Sequence, residues 1–148
     1  VLADPVAGVV GVAHAGWRGV RDDVVGEAVA AMLAQGARLA SLRVLLGPAV
    51  CGGCYPVPPE RAEQVAALVP AAASRSRAGS PSLVARIAGL GVTSTMVGGC
   101  TVEDPLLFSH RRDGVTGRFA AMVVLDPAAA TPAPAAPLAG RADGTLGG

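Results

Sequence analysis

The feature that most constrains the fold is a set of three short apolar runs, each of which ends in a glycine-containing segment. The runs read VVGVA (9–13), LRVLLGPAV (42–50) and GVTSTMVGG (91–99). Short apolar runs bounded by glycine or proline are typical of buried β-strands. Because stretches with helical spacing separate them, the pattern indicates a βα-type chain.

The segments between and after these runs predict the remaining elements. An Asp4–Pro5 turn precedes the first run, and apolar residues recur at helical spacing from Val20 to Leu33. The other predictions are helices over 58–69 and 83–90, a loop over 70–81, a last strand over 117–125 and a disordered Ala/Pro/Gly-rich tail over 127–148.

Composition excludes several classes of partner. The 148 residues suffice for one domain, and a net charge of +1 gives no reason to expect binding to nucleic acid. No apolar run approaches the roughly 20 residues that span a bilayer, so we expect no membrane insertion. Three cysteines without a secretory signal favour a reducing, cytoplasmic location.

The cysteines leave alternatives open. Cys51 and Cys54 form a C-x-x-C pair, which occurs in redox and zinc sites. Prolines follow the pair and there is no second C-x-x-C, so we expect the cysteines to be small packed residues. A thiol hydrolase that pairs Cys51 with His14 is a separate possibility from the residues alone.

Two junctions between predicted elements contain several side chains that can bind a ligand. The segment HAGWRG, which follows the first apolar run, contains His14, the single tryptophan Trp17, and Arg18. The segment FSHRRDGVTGR contains Arg111 and Arg112. Arginine presents a planar fork to phosphate or carboxylate, and tryptophan stacks on flat ligands. We therefore predict that the two segments lie close together and form an anion pocket.

Three motifs together resemble the laccase-domain family: AHAGWRG, LGPAVCGGCY and CTVEDPLLFSHRRDGVTGR. Members of that family are often described as multicopper polyphenol oxidases. They are now regarded as zinc-dependent purine nucleoside phosphorylases that also deaminate adenosine and cleave methylthioadenosine. The resemblance covers residues 1–126. It implies a single α/β domain with a layered, mixed β-sheet and flanking helices.

The resemblance also implies roles for single residues. His14 maps to a zinc ligand of the family, whose other two ligands lie upstream of the segment that this chain resembles. We therefore expect a domain that lacks its N-terminal part and has an incomplete zinc site. Phosphorolysis needs an anion site, so Arg18 and Arg111 are the candidate catalytic residues. The candidate substrate-binding residues, for a purine nucleoside and phosphate, are Trp17, Arg18, Arg111 and Arg112.

Two alternatives to this function remain besides the thiol hydrolase. One is an inactive fragment that keeps only the core of the fold. The other is a copper oxidase, which is less favoured because two histidines cannot supply the histidine clusters of such copper sites. Pro56 stands where the family commonly has glutamate, which weakens the transfer of substrate contacts to this segment.

Overall fold

A computed structural model describes residues 1–68 and 80–126. Its strands are Leu2–Asp4 (β1), Val9–Gly11 (β2), Arg43–Leu46 (β3) and Thr93–Met96 (β4). Its helices are Trp17–Arg21 (α1), Val24–Ala34 (α2), Pro59–Leu68 (α3), Ser80–Gly89 (α4) and His110–Asp113 (α5). The strands form one mixed sheet flanked by helices, so the predicted α/β class is confirmed.

The sheet brings three strand ends to the same edge. Its order is β2-β1-β3-β4, with β1 antiparallel to both of its neighbours and β3 parallel to β4. Strands β2, β3 and β4 therefore run in the same direction. A bridge between Ala49 and Cys100 extends the pairing of β3 and β4 beyond the strands. The segments that follow these three strands consequently meet at one edge of the sheet.

The core lies between the sheet and the helices. Leu42, Val65 and Ile87 are almost completely buried, and Val29 and Met32 of α2 pack with them. Leu42 lies directly before β3, and the other four side chains come from three different helices. The helices at 59–68 and 80–89 were predicted from apolar residues at helical spacing, and each helix turns these residues towards the core.

The predicted buried strands are only partly buried. In β3, Val44 is buried while Arg43 and Leu45 are exposed, and Val12, beyond the end of β2, is 63% exposed. The alternation in β3 shows that one face of the strand is covered. Strand β2 lies at the edge of the sheet, where less of its surface is covered than in a central strand.

Asp4 holds the predicted turn and a distant loop together. Its side chain is 0% exposed, and one carboxylate oxygen accepts hydrogen bonds from the backbone N–H groups of Val6 and Ala7. The other oxygen accepts from the backbone N–H of Arg38 and the hydroxyl of Ser41. Burial by itself raises the pKa of Asp4, but these four donors outweigh it and lower the pKa to about 2.

The helix predicted from Val20 to Leu33 is interrupted. Asp23 adopts a left-handed conformation with φ 54°, which ends α1 and starts α2, and its carboxylate accepts from the N–H of Gly26. The same carboxylate pairs with both Nε and Nη2 of Arg86 on α4. Aspartate tolerates the left-handed region better than most residues, which explains why the break occurs there.

Two other predictions differ from the structure. Residues 117–126 form no strand, and Met122 and Val124 are 84% and 76% exposed. The apolar pattern is present, but the segment does not pair with an edge of the sheet, and a strand needs such pairing. Residues 80 and 81 of the predicted loop belong to α4. Residues 70–79 of that loop and the predicted tail over 127–148 lie outside the described residues.

No helix within residues 1–68 and 80–126 has both the length and the apolar character needed to cross a lipid bilayer.

Candidate functional site

The three sequence motifs meet at one edge of the sheet. HAGWRG follows β2, GPAVCGGCY follows β3, and the segment that begins at Val97 follows β4. Polar segments at the carboxyl ends of co-directional strands are a common place for ligand binding in α/β proteins. The predicted proximity of the first and third motifs agrees with this arrangement. Trp17 and Arg18, however, begin helix α1, and Arg111 and Arg112 lie within α5, not in loops.

A cavity of about 430 Å³ opens at this edge. Its lining includes all four aromatic residues of the sequence, namely Trp17, Tyr55, Phe108 and Phe119. Most other lining residues are apolar, and His14 and Thr101 add polar side chains. A mostly apolar cavity of this size with a few polar groups is typical of sites for small organic molecules. The aromatic side chains of this chain are thus concentrated at one site.

Arginine side chains stack on two of these rings. The Cζ atom of Arg61 lies 4.2 Å from the centre of the Trp17 ring, and the Cζ atom of Arg18 lies 5.5 Å from it. The Cζ atom of Arg111 lies 4.4 Å from the centre of the Tyr55 ring. Such contacts hold a guanidinium group over the face of a ring while its edge can still donate hydrogen bonds. Positive charge therefore lies beside the aromatic cavity.

Arg112, which is predicted to bind substrate, has a different environment. Its Nη1 donates to the carbonyl oxygens of Thr101 and Asp104, and its Nη2 donates to that of Leu107. Its Nε and Nη2 also donate to the carboxylate of Asp113. These bonds use all five N–H donors of the guanidinium group. In this structure Arg112 holds together the loop that carries Thr101 into the cavity wall.

His14 lines the cavity and is exposed. Within the described part of the chain it belongs to no group of three or more His, Cys, Asp or Glu side chains that could hold a metal ion. The residues described around His14 therefore do not by themselves form a zinc site of the family type. The other histidine, His110, hydrogen-bonds through Nδ1 to the carbonyl oxygen of Gly114.

A second cluster lies beside the cavity. Cys51, Cys54, Cys100 and Glu103 place one ligand atom each within 4.8 Å of the others. The thiols of Cys51 and Cys54 donate to the same carboxylate oxygen of Glu103, at 3.6 Å and 3.2 Å. The cysteines are half-buried and are not core residues, which corrects the expectation that they are small packed side chains. Cys51 bonds to Glu103, and no described hydrogen bond joins it to His14 as a thiol hydrolase would require.

The cluster divides its thiols into two kinds. The pKa of Cys54 is raised to about 12, chiefly by its hydrogen bond to the carboxylate of Glu103 and secondly by its hydrogen bond with Cys51. Burial raises the pKa of Cys100, but hydrogen bonds from the backbone N–H groups of Cys51, Glu103 and Val102 outweigh it and lower the pKa to about 7. Cys100 therefore carries more thiolate character at neutral pH than Cys54.

Several of these residues were not predicted from the sequence. Tyr55, Phe108 and Phe119 carry a signal that is readable in advance, since aromatic residues are only 3% of the chain and Trp17 was already assigned to the site. Glu103 carries another: Cys100-x-x-Glu103 has the same spacing as Cys51-x-x-Cys54, with a carboxylate in place of one thiol. Arg61 carries no local signal, because only the packing of α3 against α1 brings it to Trp17.

These features define an α/β domain with an aromatic, arginine-flanked cavity. A family model described as multi-copper polyphenol oxidoreductase laccase matches residues 1–126. The chain belongs to this family, as its three motifs predict.

Similar proteins are named purine nucleoside phosphorylases. One from Streptomyces griseus is 47% identical over 133 residues, which cover 85% of this chain and 54% of that protein. One from Mycobacterium tuberculosis H37Rv is 41% identical, covering 85% of this chain and 53% of that protein. One from Bacillus subtilis is 33% identical, covering 81% and 49%. The chain thus spans about half the length of these relatives. No solved structure shows a significant match.

Proposed function

We propose that this chain contributes the nucleoside- and phosphate-binding part of a purine nucleoside phosphorylase. The single observation that supports this most strongly is the placement of Trp17, Tyr55, Phe108 and Phe119 around one cavity. A purine base is flat and aromatic, and stacking on such rings is a general mode of base binding. The names of the relatives from Streptomyces and Mycobacterium point to the same substrate class.

Phosphate is proposed to bind at Arg18 and Arg111. Each guanidinium lies against a ring of the cavity wall, on Trp17 and Tyr55 respectively. A guanidinium group stacked on a ring can still donate hydrogen bonds from its edge, and such donors bind phosphate well. Arg112 is proposed to support this site indirectly, by fixing the loop between Thr101 and Leu107.

The proposed reaction transfers a pentosyl group to phosphate. A phosphate oxygen attacks the anomeric carbon of the ribose, the bond from that carbon to the purine nitrogen breaks, and the purine leaves with the bonding electrons and then takes up a proton. The products are a free purine and ribose 1-phosphate. Two guanidinium groups lower the barrier chiefly by holding phosphate in position and by balancing its charge in the transition state.

The finer activities follow from the family resemblance. They are phosphorolysis of adenosine, inosine and methylthioadenosine, deamination of adenosine, and the use of zinc with His14 as one ligand. Because the described residues near His14 do not complete such a zinc site, no step is assigned to zinc there. Copper is the less favoured metal, and a cytoplasmic location is part of the same proposal.

The reaction is tested by incubating the purified chain with inosine and measuring hypoxanthine and ribose 1-phosphate. Because the family's other zinc ligands lie upstream of this segment, we expect little release of hypoxanthine from the 148 residues alone. With the upstream part of the domain supplied, we expect release that requires phosphate and is matched by ribose 1-phosphate. Release at the same rate without phosphate, with free ribose as the second product, would identify a nucleoside hydrolase and contradict the proposal. Nucleoside binding without turnover even then would support the alternative of an inactive fragment.

A further inference from the structure

The cluster of Cys51, Cys54, Cys100 and Glu103 has no role in the proposed phosphorolysis. It consists of two turns of identical spacing, one after β3 and one after β4. In the first turn the N–H of Cys54 donates to the carbonyl oxygen of Cys51, 3.1 Å away. In the second the N–H of Glu103 donates to that of Cys100, also 3.1 Å away. Two such turns that face each other are a common way to build a metal site from two pairs of ligands.

We propose that these four side chains bind one zinc ion, or another thiolate-preferring divalent metal, in a structural site distinct from His14. Three sulfur ligands favour zinc over magnesium or calcium, which prefer oxygen ligands. Four protein ligands leave no open position on a tetrahedral ion, which is the arrangement of structural zinc sites. Each thiol that binds the metal releases its proton to solvent, and the metal takes the place of the thiol-to-carboxylate hydrogen bonds.

The distances fit this coordination. Around a tetrahedral zinc ion, bond lengths of about 2.3 Å to sulfur and 2.1 Å to oxygen place a sulfur and an oxygen roughly 3.6 Å apart, and two sulfurs roughly 3.8 Å apart. The separations from Cys51 and Cys54 to Glu103 are 3.6 Å and 3.2 Å. All four ligand atoms lie within 4.8 Å of one another. Small side-chain movements therefore suffice for the metal to bind.

The surrounding backbone also favours a thiolate–metal cluster. The N–H of Cys51 donates to Sγ of Cys100, 3.3 Å away, which joins the two turns directly. The bridge between Ala49 and Cys100 and the bond from the N–H of Thr101 to the carbonyl oxygen of Ala49 fix the same crossing. Bonds of this kind orient metal ligands and stabilise their negative charge.

The metal would connect the cluster to the cavity wall. Tyr55 follows Cys54 directly, Thr101 follows Cys100 directly, and both line the cavity. A metal that fixes the two turns therefore fixes these two side chains as well. This consequence for nucleoside binding rests on the proposed function, whereas the existence of the metal site does not.

The test uses the fact that the three cysteines of the cluster are the only cysteines in the sequence. The purified, reduced chain is dialysed against metal-free buffer and its zinc is measured by elemental analysis. A second sample is stripped of metal and titrated with Co²⁺ while its absorption spectrum is recorded. We expect about one metal ion per chain, and a thiolate-to-cobalt charge-transfer band with the strong visible bands of tetrahedral cobalt.

Variants separate this site from His14. Cys100→Ser is expected to weaken Co²⁺ binding by more than about 100-fold, because loss of a hydrogen-bonding partner of a ligand alone costs roughly 10- to 100-fold. Glu103→Gln is expected to weaken binding in the same direction, with Glu27→Gln on the exposed face of α2 as the matched control. His14→Ala is expected to leave the metal content and the cobalt spectrum unchanged.

A folded, reduced chain that retains no metal and gives no thiolate-to-cobalt band would overturn the proposal. Loss of the metal in His14→Ala but not in Cys100→Ser would overturn it too, as would a Cys51–Cys54 disulfide that persists in the reduced sample. If the serine variant does not fold, thiol reactivity of the unaltered chain decides: we expect the metal to protect all three thiols and a chelator to expose them. Metal binding without nucleoside binding would refute only the proposed function.

Discussion

The guanidinium group of Arg111 lies over the ring of Tyr55, with its Cζ atom 4.4 Å from the ring centre. This contact joins the segment after β4 to the segment after β3, and it places a positive charge beside a ring that lines the cavity. The neighbouring Arg112 instead pairs with the carboxylate of Asp113. The two adjacent arginines therefore have different environments.

The first prediction concerns phosphate. Arg111→Ala is expected to weaken phosphate binding because it removes a charge-assisted hydrogen bond, which contributes about 1.5–3 kcal/mol. That corresponds to roughly a 10- to 150-fold higher dissociation constant. Arg18→Ala should act in the same direction. The measurement is the rise in melting temperature as phosphate replaces chloride at constant ionic strength.

The control for this experiment is Arg43→Ala. Arg43 begins β3, at the opposite end of the strand from the cavity, and donates to the carbonyl oxygens of Ala40 and Leu42. Its loss should leave the response to phosphate intact. If Arg43→Ala and Arg111→Ala reduce that response equally, phosphate acts through general charge and not through a site at Arg111.

The second prediction compares two neighbouring glycines after β4. Gly98 has φ +82°, and a Cβ atom there would lie 2.7 Å from Cγ of Pro48, a residue of the cavity wall. Gly98→Ala is therefore expected to lower the free energy of unfolding by about 1–3 kcal/mol. At Gly99 an added Cβ atom meets nothing within 4 Å.

Gly99→Ala is thus the matched control, and its effect should stay within about 0.5 kcal/mol. Urea denaturation of both variants measures the difference. Equal stabilities for the two alanine variants would show that the turn after β4 does not pack on Pro48 as described.

The third prediction concerns Asp4 and pH. Its pKa is lowered from 3.8 to about 2 in the folded chain, so folding favours the ionised carboxylate. This contribution is complete above pH of about 4 and is lost as the pH falls towards about 2, where the unfolded chain binds the additional proton. It amounts to about 2 kcal/mol.

Asp4→Asn is expected to remove this part of the pH dependence and to lower stability at neutral pH. Its amide group cannot accept all four of the hydrogen bonds that the carboxylate accepts from Val6, Ala7, Arg38 and Ser41. Unfolding curves recorded between acid and neutral pH measure both effects. An unchanged slope between pH of about 4 and 2 would show that another carboxylate causes the acid sensitivity.

The structural features that depend on neighbouring residues can be predicted from the sequence, whereas those that depend on residues far along the chain cannot. The helices that begin at Pro59 and Ser80 follow from local periodicity and are close to their predicted positions. The break at Asp23 is harder to predict, because the carboxylate of Asp23 pairs with Arg86, which lies far along the chain. The strand predicted over 117–125 was wrong because an apolar pattern does not specify a pairing partner.

The same distinction applies to the site. Trp17 and His14 are predicted to be at a site and both line the cavity, because they lie in one motif directly after a strand. Tyr55 and Glu103 belong to the other two motifs, and only the parallel pairing of β3 and β4 shows that those motifs touch. The use of all five Arg112 donors within the chain depends on the path of the loop, which no spacing rule predicts.

The most direct test of the central claim, that this cavity binds a purine nucleoside, is the fluorescence of the single tryptophan. Trp17 is the only tryptophan in the sequence and it lines the cavity, so tryptophan fluorescence reports on this site. We expect inosine to change this fluorescence in a saturable manner, uridine to compete poorly, and Phe108→Leu to weaken inosine binding because it removes one aromatic wall. Fluorescence that does not respond to inosine, or that responds equally to uridine, would contradict the account.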